Sequence, residues 1–449
     1  MEHFDLLLKN AHVVLPLPQG ESLGVQQLDL GLKDGRIAAI GPRLAAEATE
    51  ILDLTGLHVL PGVIDSQVHM REPGLEHKED LETGTRGALL GGITSVFEMP
   101  NTNPSTTTRA AFEEKLRRAA GRCHTNYAFF IGGSPDNVEQ LAELEIQPHC
   151  AGIKVFMGSS TGTLLVEEDV TLERILRAGR RRVIVHCEDE ARLKERKHLA
   201  VEGAHARFHP VWRDELTALR ATQRLLALAR KTSRPVHVLH VTSAEEMDFL
   251  KTQKDIATVE VLPQHLTLEA PECYERLGTL AQMNPPIRDG RHRERLWKAV
   301  LDGTVDVLGS DHAPHTLEEK SKTYPQSPSG FPGTQTLVTL MLDHVNAGRL
   351  PLTRFVELVG EGPRRVFGLE SKGRIAVGAD ADLTVVDLKK TRRIENKWIA
   401  SRAGWTPFDG LRTTGWPVMA VLGGRIAMRE DEILLPHSGK AVDFTSGRL

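Results

Sequence analysis

The sequence predicts an α/β fold: a (β/α)8 TIM barrel with a small β-sandwich domain assembled from both ends of the chain. Three observations carry that expectation. Short runs rich in Val, Ile and Phe recur eight times through the middle of the chain, separated by helix-compatible segments, as strands buried on both faces do. Alternating, strand-like stretches occupy the two ends. Strand after strand ends in a residue able to ligate or catalyse, and in a barrel those ends converge on one face.

The elements follow in order. Residues 1–58 alternate in DLLLKNAHVVLP, QLDLGLKDGRIAAIG and EILDLTGLHVL, with Gly and Asp in the turns. Similar patterning returns in GRIAVGADADLTVVDL and PVMAVLGGRIAMREDEI. Segments 1–58 and 366–449 are therefore expected to form one composite β domain, because domain termini usually lie close together. The barrel is expected over 59–365. Its strands are read in VLPGVID, ITSVFEMP, NYAFFIGG, AGIKVFMG, RVIVHCED, VHVLHVTS, ATVEVLPQH and VDVLGSDH, with helices such as RAAFEEKLRRAAG and RDELTALRATQRLLALARK between them. A doubly wound sheet is the alternative, but no G-x-G-x-x-G follows the first strand to favour a dinucleotide fold.

Composition narrows the function classes. The 449 residues suit one large domain and a smaller one, and 40% hydrophobic with 26% charged residues describes an ordinary globular protein. A formal charge of −4 offers no footprint for nucleic acid. With no long apolar run and no basic leader, neither a membrane partner nor secretion is expected, and the location expected is cytoplasmic. Cys123, Cys150, Cys187 and Cys273 are scattered without a C-x-x-C, so neither a disulfide framework nor a thiolate zinc site is suggested.

The strand ends carry the chemistry: His69, Asn101, Lys154, His186, His240, His265 and Asp311. Taken singly, a histidine after an apolar run is more often a hydrogen-bonded core residue. The set is harder to explain that way. His69, His186, His240 and Asp311 supply three imidazoles and a carboxylate, ligands suited to zinc and related ions, which acidify bound water. Lys154, flanked by apolar residues, is useful among such ligands only if burial strips its proton; a neutral amine can then react with carbon dioxide to form an anionic carbamate. Asp311 could ligate and also carry a proton as base and then acid. Arg71, Asn101 and His315 add donors suited to a substrate carboxylate, against a surface salt bridge to Glu72 or Glu76 as the plain alternative for Arg71.

PGVIDSQVHMREPG, FEMPNTNP, GIKVFM, VIVHCED, HVLHVTS, MNPPIR, SDHAPHTLEEK and GADADLTVVD occur in that order, and together they resemble the amidohydrolase superfamily. More narrowly the chain looks like the dihydroorotases and their hydantoinase and allantoinase relatives. The resemblance spans about residues 5 to 430, and the R-E-P-G, M-P-N-T and D-H-A-P-H-T-x-E-E-K elements lean toward the dihydroorotases. It implies zinc, one or two ions, on His69, Lys154, His186, His240 and Asp311, with Lys154 carboxylated as a bridge and Asp311 as acid and base. It implies Arg71, Asn101 and His315 on the substrate carboxylate, with Asn284 and Gly330 lining the ring. The reaction implied is reversible hydrolysis of the cyclic amide of dihydroorotate to N-carbamoyl-aspartate. The expected partners are that small molecule and further copies of the chain, with aspartate transcarbamoylase as a further candidate.

Two positions depart from the pattern. The first-strand motif is His-x-His, and here Gln67 stands in the first place; a neutral amide binds zinc more weakly than imidazole, so the buried metal site is expected to be weakened. Gln264 precedes His265 where many relatives have Pro-His-His, a change expected to be peripheral. The alternatives are a cyclic amidohydrolase for hydantoin, allantoin or a dihydropyrimidine, and a catalytically silent homologue serving as a structural partner of aspartate transcarbamoylase. Four surviving ligands argue against the silent homologue, and the carboxylate-binding set argues against substrates that lack a ring carboxylate. The loop HTLEEKSKTYPQSPSGFPG, rich in Gly, Pro and Ser, reads as a mobile segment over the site.

Overall fold

The computed structural model describes residues 3–17, 22–158 and 164–445. Eight strands run in sequence order in one sheet: Val63–Val68, Ile93–Glu98, Asn126–Gly132, Cys150–Phe156, Val183–His186, Val236–Val238, Ala257–Val261 and Val307–Leu308. Each neighbouring pair is parallel. A parallel bridge between Val68 and His312 closes the ring, and the His69 N–H donates to the His312 carbonyl at 2.7 Å. The strands fall on the eight apolar runs. Nearly all their side chains are buried, because helices cover the outside of a barrel and neighbouring strands fill the inside.

The helices obey their end signals. Arg109–Ala119 starts at Thr108, whose hydroxyl accepts from the Ala111 N–H. Glu215–Thr232 starts at Asp214, which accepts from Thr217, and stops at Ser233 in the left-handed region. Its Ala218, Ala221, Leu225, Leu226 and Ala229 form the buried stripe.

The chain ends make a second sheet of nine strands, from His3–Pro16, Leu23–Lys33, Arg36–Gly41, Glu47–Asp53 and His58–Pro61 at one end and Leu383–Arg393, Arg412–Leu422, Arg425–Arg429 and Glu432–Ile433 at the other. The seam between them is antiparallel, Val59 opposite Val385 and Pro61 opposite Leu383. The apolar run from Val59 to Ile64 is thus divided between the two sheets. Gly62 marks the crossing, where a Cβ would meet the Thr94 hydroxyl and the Asp382 carbonyl at 2.3 and 2.9 Å. Among the described residues no helix is long and apolar enough to cross a membrane.

Candidate active site

A cavity of about 470 Å³ opens at the C-terminal ends of the barrel strands. Gln67, His69, Arg71, Asn101, Lys154, His186, His240, Asn284, Asp311, His315 and Gly330 all line it. Residues 67 and 69 share a strand face by the period of two. Arg71, His240 and Asp311 have positive φ, 63°, 37° and 47°. Each sits just past a strand end, where bending the backbone into a conformation disfavoured for a side-chain-bearing residue turns that side chain into the cavity.

His186 and His240 form one group of donors. His186 Nε2 lies 2.8 Å from Glu188 Oε2, and Arg213 grips both Glu188 oxygens through Nε at 3.0 Å and its terminal nitrogen at 2.5 Å. Burial opposes ionisation of Glu188, but Arg213 and His186 together hold it well below the usual carboxylate range. Burial also lowers the His186 pKa and outweighs Glu188, so a neutral imidazole donates Nε2–H to a carboxylate. Its Nδ1 is left as a lone pair, 3.0 Å from His240 Nε2. His240, held far below its ordinary pKa by burial, is neutral too.

The second group repeats the arrangement. Asn101 Oδ1 lies 2.7 Å from His69 Nδ1 and accepts its proton, so the His69 Nε2 lone pair faces Asp311 Oδ1 at 3.1 Å. Burial lowers the His69 pKa despite Asp311, and the contact is not an ion pair. Gln67 Nε2 donates to the same Asp311 oxygen at 3.1 Å, while its Oε1 is buried without a hydrogen-bond partner among the described residues.

Lys154 is 1% exposed, and its Nζ has no hydrogen-bond partner among the described residues. Burial pushes the amine down to about 7, against attraction from Asp311. Among the described residues no three His, Cys, Asp or Glu side chains close on one point; the donors stand as two pairs.

Also lining the cavity, Arg71 donates Nε–H to the Pro314 carbonyl at 3.2 Å and brings a terminal nitrogen within 3.3 Å of His315 Nε2. Trp405, from the C-terminal part of the chain, donates to the His315 carbonyl at 2.8 Å. Asn284 Oδ1 accepts from His209 at 2.9 Å. Gly330 has φ 126°, and a Cβ there would meet the Ala313 carbonyl at 2.5 Å, so glycine is what lets this backbone pass close to the cavity. His265 is absent from the lining and bonds to the Pro285 carbonyl at 3.2 Å. Gln264 donates to the Ser310 carbonyl at 2.8 Å, next to Asp311 but outside the cavity.

The loop expected to be mobile is tied down at several points. Thr316 and Glu319 make a capping box at the start of Leu317–Lys320. Lys320 Nζ donates to the Gln282 and Pro328 carbonyls at 3.0 and 2.8 Å, and Gln282 in turn holds the Ser327 carbonyl at 2.7 Å.

Residues 58–427 match the amidohydrolase family. The chain belongs to that family. It is similar to the dihydroorotases of Methanothermobacter thermautotrophicus, 37% identical over 96% of each chain, and Methanosarcina mazei, 34% identical over 98% of each. Among solved structures it is similar to the L-hydantoinase (dihydropyrimidinase) of Arthrobacter aurescens, 30% identical with a TM-score of 0.92 over 98% of this chain and 100% of that one. The D-hydantoinase of Bacillus sp. AR9 is 26% identical with a TM-score of 0.89 over 99% of this chain and 100% of that one.

Arg213, which lines this amidohydrolase cavity, and Glu188, which it grips, are residues of the site that sequence reasoning did not find. Glu188 had a signal, standing two residues past His186 in VIVHCED. Arg213 had none, since it lies 25 residues from the carboxylate it grips. Arg213→Met leaves a buried carboxylate without its guanidinium and is expected to destabilise the fold by about 3–5 kcal/mol. Urea denaturation at neutral pH checks this. A loss below about 1 kcal/mol would show that the pair contributes no more than a surface contact.

Proposed function

We propose that this amidohydrolase is a dihydroorotase, interconverting dihydroorotate and N-carbamoyl-aspartate in pyrimidine biosynthesis. The observation that carries the reading is the anion clamp: Arg71, Asn101 and His315 line the same cavity as His69, Lys154, His186, His240 and Asp311. A guanidinium is the usual bidentate partner of a carboxylate; dihydroorotate has one on its ring and hydantoin has none. The relatives named dihydroorotase support the same choice. The hydantoinase structures support cyclic-amide chemistry and define the competing reading.

The donor set fits divalent metal, with zinc the expected ion. The His69 Nε2 lone pair faces a carboxylate oxygen of Asp311 at 3.1 Å, an arrangement a shared cation relieves. In the other pair the His186 Nδ1 lone pair lies 3.0 Å from His240 Nε2, two imidazoles close enough to share one ion. The Lys154 amine, without a hydrogen-bond partner among the described residues, fits the rest, because as a carbamate it would offer an anionic donor to both pairs. His186 and His240 would hold one ion, and His69 and Asp311, with Gln67 in place of an imidazole, a second. Bound there, the metal supplies acidified water and a polarised ring carbonyl.

The chain's own groups do the remainder. Asp311 faces His69 and Gln67 through Oδ1, leaving Oδ2 to take the proton of the attacking water and return it to the departing ring nitrogen. Arg71 and His315 orient the carboxylate. Asn101 spends its oxygen on His69 and offers its amide nitrogen. Asn284 and Gly330 line the ring. Four buried, unpaired cysteines suit a reducing compartment such as the cytoplasm. Self-association and binding to aspartate transcarbamoylase belong to the same reading, and sedimentation of the chain alone and mixed with that enzyme tests both.

Turnover of dihydroorotate beside hydantoin and dihydrouracil by the purified protein tests the activity. Hydrolysis of either uncharged ring without dihydroorotate would overturn the assignment in favour of a hydantoinase or dihydropyrimidinase. No turnover of any cyclic amide with added zinc and bicarbonate would favour the non-catalytic partner. The Gln67 amide leaves the second ion weakly held, so Gln67→His is expected to raise bound metal from one ion toward two per chain, measured by elemental analysis. Unchanged metal content would show that Gln67 does not limit occupancy.

A further inference from the structure

Lys78 lies between the first barrel strand and the helix Leu81–Leu90 and lines the cavity beside His315. Its side chain is 14% exposed, with Nζ 3.1 Å from Glu319 Oε1 and 3.1 Å from His315 Nδ1. An ammonium has donors only. His315 Nδ1 must therefore present its lone pair, and the ring proton sits on Nε2, which faces the Ser329 carbonyl at 3.1 Å. The other tautomer would set Lys78 against an N–H and a lone pair against that carbonyl. With the proton on Nε2, the Arg71 nitrogen 3.3 Å away meets a donor and finds no acceptor there.

Charge points the same way. Arg71, Lys78 and Lys320 surround His315, and burial followed by these three cations holds the imidazole far below its ordinary pKa, so it is neutral. Glu319 is the carboxylate that answers Lys78, and its Oε2 lies 3.6 Å from His315 Nδ1, beyond hydrogen-bond reach. Lys320 bonds only to carbonyls among the described residues. Two N–H groups then lie side by side, that of Arg71 and the His315 Nε2–H, which the Ser329 carbonyl shares.

We propose that Lys78 is a positioning and specificity residue for the carboxylate of the substrate. It holds His315 in the tautomer whose Nε2–H joins Arg71 on one anion, and its own charge favours anionic cyclic amides over uncharged ones. The inference rests on the dihydroorotase reading and deepens it. The competing role is structural: Lys78 could serve only to bridge its loop to Glu319 on Leu317–Lys320.

Lys78→Met, Lys78→Arg and Glu319→Gln, assayed on dihydroorotate and on dihydrouracil (the same ring without the carboxylate), separate the two. Lys78→Met is expected to raise the KM for dihydroorotate about tenfold, more than it lowers kcat, and to reduce the preference for dihydroorotate over dihydrouracil to match. Lys78→Arg is expected to recover part of that preference. Glu319→Gln keeps the helix cap and removes the bridge while leaving Lys78 on His315, so the preference should hold or rise. A preference unmoved by Lys78→Met, or lost equally in Glu319→Gln, overturns the proposal. Should Lys78→Met fail to fold, Glu319→Gln still decides by the direction in which its preference moves. A wild-type protein inactive on dihydroorotate overturns the dihydroorotase reading itself, and this inference with it; an active one with an unmoved preference overturns only the role of Lys78.

Discussion

Lys154→Met is expected to abolish dihydroorotate turnover and, in metal-free buffer without bicarbonate, to make the protein more stable. Both effects come from one placement. The amine is buried with no hydrogen-bond partner among the described residues, and in the proposed reading a carbamate on it would serve both donor pairs. Methionine fills a similar volume without a polar group to desolvate. Burial lowers the amine from its ordinary 10.5 to about 7, so the folded state sheds its proton before the unfolded state does. The penalty is complete below about pH 7 and disappears as pH rises toward 10.5. The methionine variant should gain roughly 2–4 kcal/mol near pH 7, and the gain should shrink toward about pH 10. Urea denaturation of both proteins across that range measures it. A variant less stable than wild type at every pH would show that Lys154 serves the fold, and one that retains turnover would remove it from the site.

Asp311→Asn is expected to lower kcat by about 10³-fold with a small change in KM. The substitution keeps size and shape, and an asparagine oxygen can still accept from Gln67 Nε2, which lies 3.1 Å from Oδ1 in the wild type. What it removes is the carboxylate that takes and returns a proton. Initial rates at saturating dihydroorotate, with metal content measured on the same preparation, check the outcome. A kcat within about tenfold of wild type at equal metal content would assign the proton transfer to another group. A loss that follows lost metal would make Asp311 a ligand first.

The barrel could be read in the sequence because parallel strands covered on both faces leave unbroken apolar runs, and all eight were visible as such. The strand-end residues were visible because each interrupts an apolar run with a group that needs a polar reason to be there. His265 shows the limit of that rule: it satisfies the pattern, yet it holds a carbonyl outside the cavity. The split of the run from Val59 to Ile64 between two sheets was hidden, since both strands are apolar and only pairing across more than 300 residues, Val59 with Val385, separates them.

By itself, then, the sequence determined the kinds of element, their order, and the chemical types standing at the strand ends, all of which are local properties of side-chain pattern. Tertiary structure decided how those groups are protonated and aimed. Glu188 and Arg213 set the His186 proton, Asn101 sets that of His69, and Lys78, 237 residues from its partner, sets that of His315. A histidine has two tautomers and an amine two charge states, and the choice between them is made by burial and by the donor or acceptor brought alongside. Neither exists until the barrel has closed.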